Sequence, residues 1–201
     1  MTSAESDAGA RSTIRRCPWA ERGGPAERSY HDLEWGVPQH DERALFELLT
    51  LEGAQAGLSW SLVLSRRDGY RRAFEGFDPE ALATWTDKHV EALVKDPGII
   101  RHRGKIASVI SNARAVLELR ATGTGLDDYL WAFTDGVPLQ PRHARSSDVP
   151  TTTDVAGALS RDLRRRGFRF VGPTICYAFM QAAGLTNDHV TSCFRCAELE
   201  A

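Results

Sequence analysis

Hydrophobic side chains recur every three or four residues along most of the chain from residue 41 onward, which is the spacing of amphipathic helices. The segment DERALFELLTLEG opens with a capping aspartate, Asp41, and places Leu45, Leu48 and Leu49 on one stripe. The segment GKIASVISNARAVLELR keeps a helical period throughout. The same criteria predict helices that begin at Asp78-Pro79 and at Thr86, and others in the ranges 58–77, 127–133, 153–167 and 173–184.

No segment combines alternating polar and apolar positions with hairpin turns, so we expect an all-α fold. Residues 1–14 are small and polar and are expected to form a disordered tail. Residues 15–201 then form one helical domain, in which two lobes can enclose a cleft between the early and the late helices. A Pro-, Ser- and Thr-rich connector occupies residues 137–152.

The composition is that of a globular protein. Of the 201 residues, 42% are hydrophobic and 26% are charged, and the formal net charge is −2. No apolar run reaches the length of a membrane span and the polar N-terminus lacks the apolar region of a signal peptide, so we expect a cytoplasmic protein. Four cysteines in a chain of this length favour metal ligation or simple burial over a disulfide scaffold.

Cysteine and histidine occur together near both ends of the chain. Cys17 and His31 lie near the start, and His189 and Cys193 near the end are spaced so that a helix would place both on one face. Two thiolates and two imidazoles form the closed tetrahedral set of a structural zinc, which would clip the two ends together. The alternative is an isolated thiol and two ordinary surface residues, because the first pair does not have a standard zinc-finger spacing.

Two cationic clusters lie beside glycine-bearing turns, where they either contact phosphates or form solvated helix faces. They comprise Arg101, His102, Arg103 and Lys105, and Arg161, Arg164, Arg165, Arg166 and Arg169. In RRRGFRFVGPTICYAFMQAAG, Gly167 permits a left-handed turn and Gly172 lets a ligand approach the backbone closely. Backbone N–H groups at the start of the following helix suit a phosphate. The segment is either a helix-hairpin-helix DNA-binding element or a plain pair of helices.

Glu52 stands out because it lies among small and apolar residues in LEGAQAGLSW. A carboxylate in such surroundings needs a partner, so Glu52 either caps a helix, pairs with a cation or lies at the floor of a pocket. Four aromatic residues occur in the same part of the chain, namely Trp19, Tyr30, Trp35 and Trp60. Aromatic faces with one carboxylate suit a flat cationic ligand, although some of these rings are expected in the core.

Strings that run from Cys17 to about Cys193 resemble one known family. YHDLEWGVP, LFELLTLEGAQAGLSW, GIIRHRGKI, RGFRFVGPTICYAFMQAAGL and NDHVTSC closely resemble the bacterial DNA-3-methyladenine glycosylase I family of helix-hairpin-helix base-excision enzymes. The resemblance implies an enzyme that flips a nucleotide out of double-stranded alkylated DNA and hydrolyses the N-glycosidic bond of 3-methyladenine. This substrate requires no partner subunit, so a monomer is expected.

The resemblance also implies a role for each candidate residue. It assigns Glu52 as the acceptor that selects the cationic base and Leu58 as the residue that wedges into the duplex. A structural zinc falls on Cys17, His31, His189 and Cys193. The pocket aromatics fall on Trp19, Tyr30, Trp35 and Trp60. The DNA contacts fall on the loop with Gly57 and Leu58 and on the hairpin with Gly167, Gly172 and Thr174. From the second cationic cluster, independently of the resemblance, we expect Arg164 and Arg166 to contact phosphates.

The chain departs from the family pattern near its start. Glu27 stands where the family often has a tyrosine, and the Cys17–His31 spacing is one residue longer than usual. Asp188 lies near the catalytic aspartate of many helix-hairpin-helix glycosylases, but we expect it to orient its neighbour His189. Three alternatives remain open on the sequence: a DNA-binding module without activity, a glycosylase for another damaged base, and a zinc-dependent hydrolase.

Overall fold

A computed structural model describes residues 14–200 and has an all-α architecture, as predicted. The described residues form twelve α-helices: α1 (Pro18–Arg22), α2 (Pro25–Leu33), α3 (Glu42–Gln55), α4 (Trp60–Ser65), α5 (Arg67–Ala73), α6 (Pro79–Ala83), α7 (Asp87–Leu93), α8 (Arg103–Ala121), α9 (Leu126–Trp131), α10 (Asp154–Arg165), α11 (Pro173–Ala182) and α12 (Phe194–Glu198). Short 3-10 helices cover Glu75–Phe77, Ala132–Thr134 and Ser146–Asp148. Apart from Ile14, the predicted tail at 1–14 lies outside the described residues.

Side-chain caps start several of the predicted helices. Asp41 accepts a hydrogen bond from the N–H three residues on and begins α3, and Asp78 accepts one from the N–H two residues on and begins α6. The hydroxyl of Thr153 caps α10 in the same way. The predicted helix at 58–77 was wrong as a single element. Ser59 caps α4, and the chain bends at Arg66 before α5 begins.

Helices α1, α2 and α12 were not predicted. The sequences PWAER and PAERSYHDL carry no apolar stripe, and each begins with a proline, which suits the first helical position. Helix α12 has only five residues. All three lie close to the Cys/His cluster described below. Packing against that cluster therefore determines where these helices form, rather than their own periodicity.

Helix α3 lies at the centre of the molecule. Every residue from 45 to 54 is buried, and the helix packs against α4, α8, α9 and α11. Its neighbours form pairs of their own, α6 with α8 and α10 with α11. A helix that is buried on all sides places any polar side chain it carries inside the protein, and Glu52 is such a residue.

The turn at residues 166–172 joins α10 to α11 and is fixed to the helices behind it. Gly167 begins the turn with a φ of 89°. The buried amide of Asn112 on α8 donates to the carbonyl of Arg169 (3.1 Å) and accepts from the Arg169 N–H (2.8 Å). The hydroxyl of Ser160 donates to the carbonyl of Val171 (2.6 Å). These bonds hold the predicted hairpin rigidly at the surface.

No helix within residues 14–200 is long and apolar enough to cross a membrane.

Candidate functional site

A cavity of about 490 Å³ opens between the early and the late helices. Its early wall comes from α1 to α4, and its late wall comes from the connector around Ser146–Thr151 and from α11. The four aromatic residues singled out in the sequence and Glu52 all line it. The cleft expected between early and late helices is therefore present, and it gathers these five side chains in one place.

Glu52 lies at the wall of this cavity on the buried helix α3. Its side chain is 5% exposed, and its Oε2 atom has no hydrogen-bond partner among the described residues. Desolvation raises the pKa of Glu52 to about 8. The capping and salt-bridge alternatives are therefore wrong, and the carboxyl group is available to a ligand.

Tyr30 and Trp60 form a second part of the same wall. Their rings lie 5.0 Å apart, and the phenolic oxygen of Tyr30 and the indole nitrogen of Trp60 are both buried without a partner in the described structure. Burial, with a smaller contribution from Glu52, raises the pKa of Tyr30 well above its ordinary value, so the phenol keeps its proton. Three polar atoms without a protein partner thus lie on residues that line one cavity, where a polar ligand can bond to them.

Asp188 completes the late wall together with Tyr177 and Gln181, which sequence analysis missed. Asp188 is buried and accepts hydrogen bonds from the hydroxyl of Tyr177 (2.5 Å), the amide of Gln181 (2.7 Å) and the hydroxyl of Thr186 (3.1 Å). The expectation that Asp188 orients His189 was wrong, because its oxygens are used by these three side chains. Residues 177, 181 and 188 come together only in the folded chain, so no local sequence motif predicts that they interact.

The four Cys and His residues near the chain ends meet beside the cavity. Cys17, His31, His189 and Cys193 are all buried, and their ligand atoms lie within 4.8 Å of one another. The distances from Cys17 Sγ to His189 Nδ1, from Cys193 Sγ to His189 Nδ1 and from Cys193 Sγ to His31 Nε2 are each 3.5 Å. Tetrahedral zinc, with bonds of about 2.3 Å to sulfur and about 2.05 Å to nitrogen, separates such atoms by roughly 3.6 Å. The donor set and its spacing therefore fit zinc.

Outer hydrogen bonds leave one ring nitrogen of each histidine facing the sulfurs. His31 Nδ1 donates to the carboxylate of Asp32 (2.8 Å), and His189 Nε2 donates to the carbonyl of Trp35 (3.0 Å). The nitrogens left facing the thiols are Nε2 of His31, which also accepts a hydrogen bond from the Cys17 N–H (3.3 Å), and Nδ1 of His189, and these two would be the ligand atoms for a metal. Carboxylate and carbonyl partners of this kind are typical of metal-bound imidazoles, and Asp32 was not found from the sequence.

The helix predicted for His189 and Cys193 was wrong. The chain is irregular from His189, turns at residues 191–193 and begins α12 only after Cys193. A hydrogen bond from the Cys193 N–H to the Val190 carbonyl (2.7 Å) closes the turn. The four-residue spacing still brings the two ligands together, because a tight turn reverses the chain over the same number of residues.

Trp19 and Trp35 belong to the cavity and to the Cys/His cluster at once. Their rings contact edge to face at 5.2 Å, and Trp35 also meets the ring of His189 at 4.6 Å. Gly36 follows with a φ of 82°, and a side chain there would lie 3.0 Å from His189 Nε2. The Cys/His cluster therefore supports one wall of the cavity directly.

The loop after α3 carries the proposed wedge. Gly57 has a φ of 76° in open space, and the Leu58 side chain is 39% exposed. A groove of about 220 Å³ runs from this loop to the first turn of α11, where Thr174 lies, and Glu52 lines it from the inside. The loop, the α11 N-terminus and the cavity therefore lie next to each other.

The two arginines predicted to contact DNA differ in their surroundings. Arg166 donates to Asp162 (2.7 Å) and stacks over the ring of Tyr129 (4.9 Å). Although desolvation opposes it, hydrogen bonds from Arg166, Tyr129 and Arg165 lower the pKa of Asp162 to about 2. Arg164 instead reaches towards the hairpin, where its Nη2 atom lies 3.5 Å from the position of a side chain at Gly172. Arg164 is therefore the better placed of the two to meet a phosphate.

Glu27 also lines the cavity, so the position has a place in the pocket of this chain. Its Oε2 accepts a hydrogen bond from the Gly24 N–H (3.0 Å) at the start of α2. Glu27 thus adds a further carboxylate to the lining of the cavity.

Comparison with known proteins agrees with this geometry. The model of the methyladenine glycosylase family matches residues 19–196. DNA-3-methyladenine glycosylase 1 of Escherichia coli (strain K12) is 49% identical over 180 residues, which are 90% of this chain and 96% of that protein. A crystal structure of 3-methyladenine DNA glycosylase I shares 50% identity and a TM-score of 0.87, covering 90% of this chain and 98% of its own.

A further structure concerns 3-methyladenine recognition by the Staphylococcus aureus 3-methyladenine DNA glycosylase I. It is 35% identical, has a TM-score of 0.86 and covers 90% of this chain and 96% of its own. The family match spans both walls of the cavity and three of the four Cys/His positions. The chain therefore belongs to the methyladenine glycosylase family.

Proposed function

We propose that this protein releases 3-methyladenine from alkylated double-stranded DNA by hydrolysing the N-glycosidic bond of the flipped nucleotide. One observation carries the proposal: a buried carboxyl group with an unsatisfied oxygen faces an aromatic cavity. The similar proteins named above support the same activity. The volume of about 490 Å³ accommodates a purine and part of its sugar.

Glu52 selects the base by charge. Methylation at N3 gives the adenine in DNA a formal positive charge and weakens its glycosidic bond, so the enzyme needs no strong acid to expel it. The Glu52 carboxylate accepts a hydrogen bond from the cationic purine, while the rings of Tyr30 and Trp60 stack on its face. An uncharged purine would leave the costly buried carboxylate without a counter-charge. Water then attacks the sugar carbon as the base leaves.

DNA contacts surround the mouth of the cavity. Leu58 fills the space left by the flipped nucleotide, with Gly57 giving the loop its sharp turn. The hydroxyl of Thr174 and the free N–H groups of the first turn of α11, after Gly172, donate hydrogen bonds to a backbone phosphate. Arg164 adds a positive charge beside Gly167 and the hairpin, with Arg166 as its neighbour. One chain supplies all of these contacts, so the enzyme acts as a monomer. Its proposed location is the cytoplasm.

A structural zinc is part of the proposal. Cys17, His31, His189 and Cys193 would hold it and so join the first and last described segments. All four positions around the ion would be protein ligands, which leaves no site for a zinc-bound water and disfavours a zinc-dependent hydrolase. The ion would supply stability, and this chain's side chains would do the chemistry.

The test is base release from methylated duplex DNA, with the freed bases identified by mass. We expect 3-methyladenine in the supernatant and 7-methylguanine left in the polymer. A Glu52→Gln variant should bind DNA and lose preference for the charged base. A folded, zinc-loaded wild type that binds duplex DNA and frees no base would contradict the proposal and favour a binding module. Release of a different damaged base alone would contradict the assigned substrate.

A further inference from the structure

Lys105 belongs by its position in the sequence to the first cationic cluster, but its surroundings differ from those of the other members. His102 caps α8, Arg103 pairs with Glu91, and Arg101 is exposed. Lys105 instead points inward and is 9% exposed. The sequence allowed either a phosphate contact or a solvated helix face for this cluster, and the burial of Lys105 is contrary to both.

The ammonium group of Lys105 holds the end of α3. Its Nζ donates to the carbonyl of Ala54 (2.8 Å) and to the carbonyl of Ala56 (2.6 Å). The last carbonyls of a helix have no partner within the helix, and a cation there also meets the negative end of the helix dipole. One lysine therefore satisfies two carbonyls at the point where the chain leaves α3.

The chain segment fixed in this way connects two parts of the site. Glu52 lies one helical turn before Ala56, and Leu58 lies two residues after it. Between them the backbone closes with a hydrogen bond from the Leu58 N–H to the Gln55 carbonyl (2.6 Å). The side chain of Leu58 is exposed and Gly57 lies in open space, so Lys105 is the side chain that ties this turn to the body of the protein.

We propose that Lys105 is a positioning residue that fixes the Leu58 loop relative to Glu52, so that insertion into the duplex and capture of the base occur in one geometry. The inference rests on the proposed function. Lys105 touches neither DNA nor base in this assignment. Its loss would free the loop while the aromatic cavity keeps its shape.

The experiment compares Lys105→Met with Lys88→Met. Both changes remove one positive charge and keep an unbranched side chain, and Lys88 is exposed on α7. Three quantities are measured: single-turnover release of 3-methyladenine from duplex DNA, affinity for free 3-methyladenine from tryptophan fluorescence, and the salt dependence of DNA binding. We expect Lys105→Met to release base roughly ten- to a hundredfold more slowly, with unchanged free-base affinity and salt dependence. Lys88→Met should match the wild type.

Three results would overturn the proposal. A smaller salt dependence for Lys105→Met, by about one phosphate contact, would make Lys105 a phosphate ligand. If Lys105→Met lost free-base affinity together with base release, the substitution would have damaged the cavity as a whole. If Lys105→Met released base as fast as the wild type, Lys105 would have no positioning role. If Lys105→Met does not fold, Lys105→Gln, which keeps a donor, should give intermediate release and the same salt dependence. A wild type that releases no base would contradict the proposed function. Normal release by both the wild type and Lys105→Met would contradict only the role of Lys105.

Discussion

Replacing Glu52 by glutamine should make the protein more stable, and increasingly so as the pH rises. The carboxyl group is buried on all sides and has no cation within its hydrogen-bonding reach among the described residues. Ionising it in the free enzyme is therefore costly, whereas the amide of Gln carries no charge at any pH. The site keeps this residue because the cationic base, when bound, supplies the missing partner.

The size of the effect follows from the two pKa values. In the unfolded chain the carboxyl has a pKa near 4.5, and in the folded protein near 8. A raised pKa means that this group favours folding fully below pH 4.5 and loses that contribution as the pH rises to 8. The loss is ~3 kcal/mol at pH 7 and ~5 kcal/mol above pH 8. The slope between these limits is about 1.4 kcal/mol per pH unit.

Urea unfolding of both proteins from pH 5 to pH 9 measures this difference. Any effect of pH on other groups or on zinc binding is shared by both and cancels in the comparison. Glu118→Gln, at an exposed site on α8, is the matched control and should change stability little at any pH. A stability difference for Glu52→Gln that stays constant across this range would refute the reasoning, because it would mean that Glu52 ionises freely in the folded protein.

Three further predictions concern the metal, the loop and the arginines. Cys193→Ala should lose zinc and melt at a lower temperature, measured by metal analysis and calorimetry; a full zinc content would contradict the ligand assignment. Leu58→Ala should slow base release from duplex DNA roughly tenfold and leave free-base affinity unchanged in a fluorescence titration, whereas equal release would exclude a wedge. Arg164→Gln should reduce the salt dependence of DNA binding by about one contact. Arg166→Gln should instead lower the free energy of unfolding by less than ~1 kcal/mol, since Arg166 is held by Asp162. If Arg166→Gln reduced the salt dependence and Arg164→Gln lowered the stability, Arg166 would be the phosphate contact and Arg164 the structural residue.

The helical framework was predictable because local signals and tertiary structure agree. Asp41 and Thr153 cap helices whose apolar stripes face the core, so the same residues mark the start and the buried face. Helices α1 and α2 give no such signal. Their positions depend on the Cys/His cluster, in which Cys17 contacts a residue 172 positions away and His31 contacts one 162 positions away.

The candidate site was predictable for residues whose type is unusual in their setting. A glutamate in an apolar helix and a Cys/His set at both ends attract attention without any structure. Asp188 and Lys105 were noted in the sequence, but their roles could not be predicted, because these roles depend on distant partners. Asp188 is held by Tyr177 and Gln181 on α11, and Lys105 by two backbone carbonyls that no sequence pattern reveals.

The contacts of Trp35 constrain how the pocket can evolve. Its carbonyl binds His189, and its ring both contacts that histidine and faces the cavity, so a substitution there that altered ligand preference would also disturb the Cys/His cluster. Gly36 has no room for a larger residue for the same reason. Trp60 also lines the cavity, but it lies on the short helix α4 and is not part of the Cys/His cluster. New base preferences in descendants of this enzyme should therefore arise by changes around Trp60 and Glu27, while the wall at Trp35 stays the same.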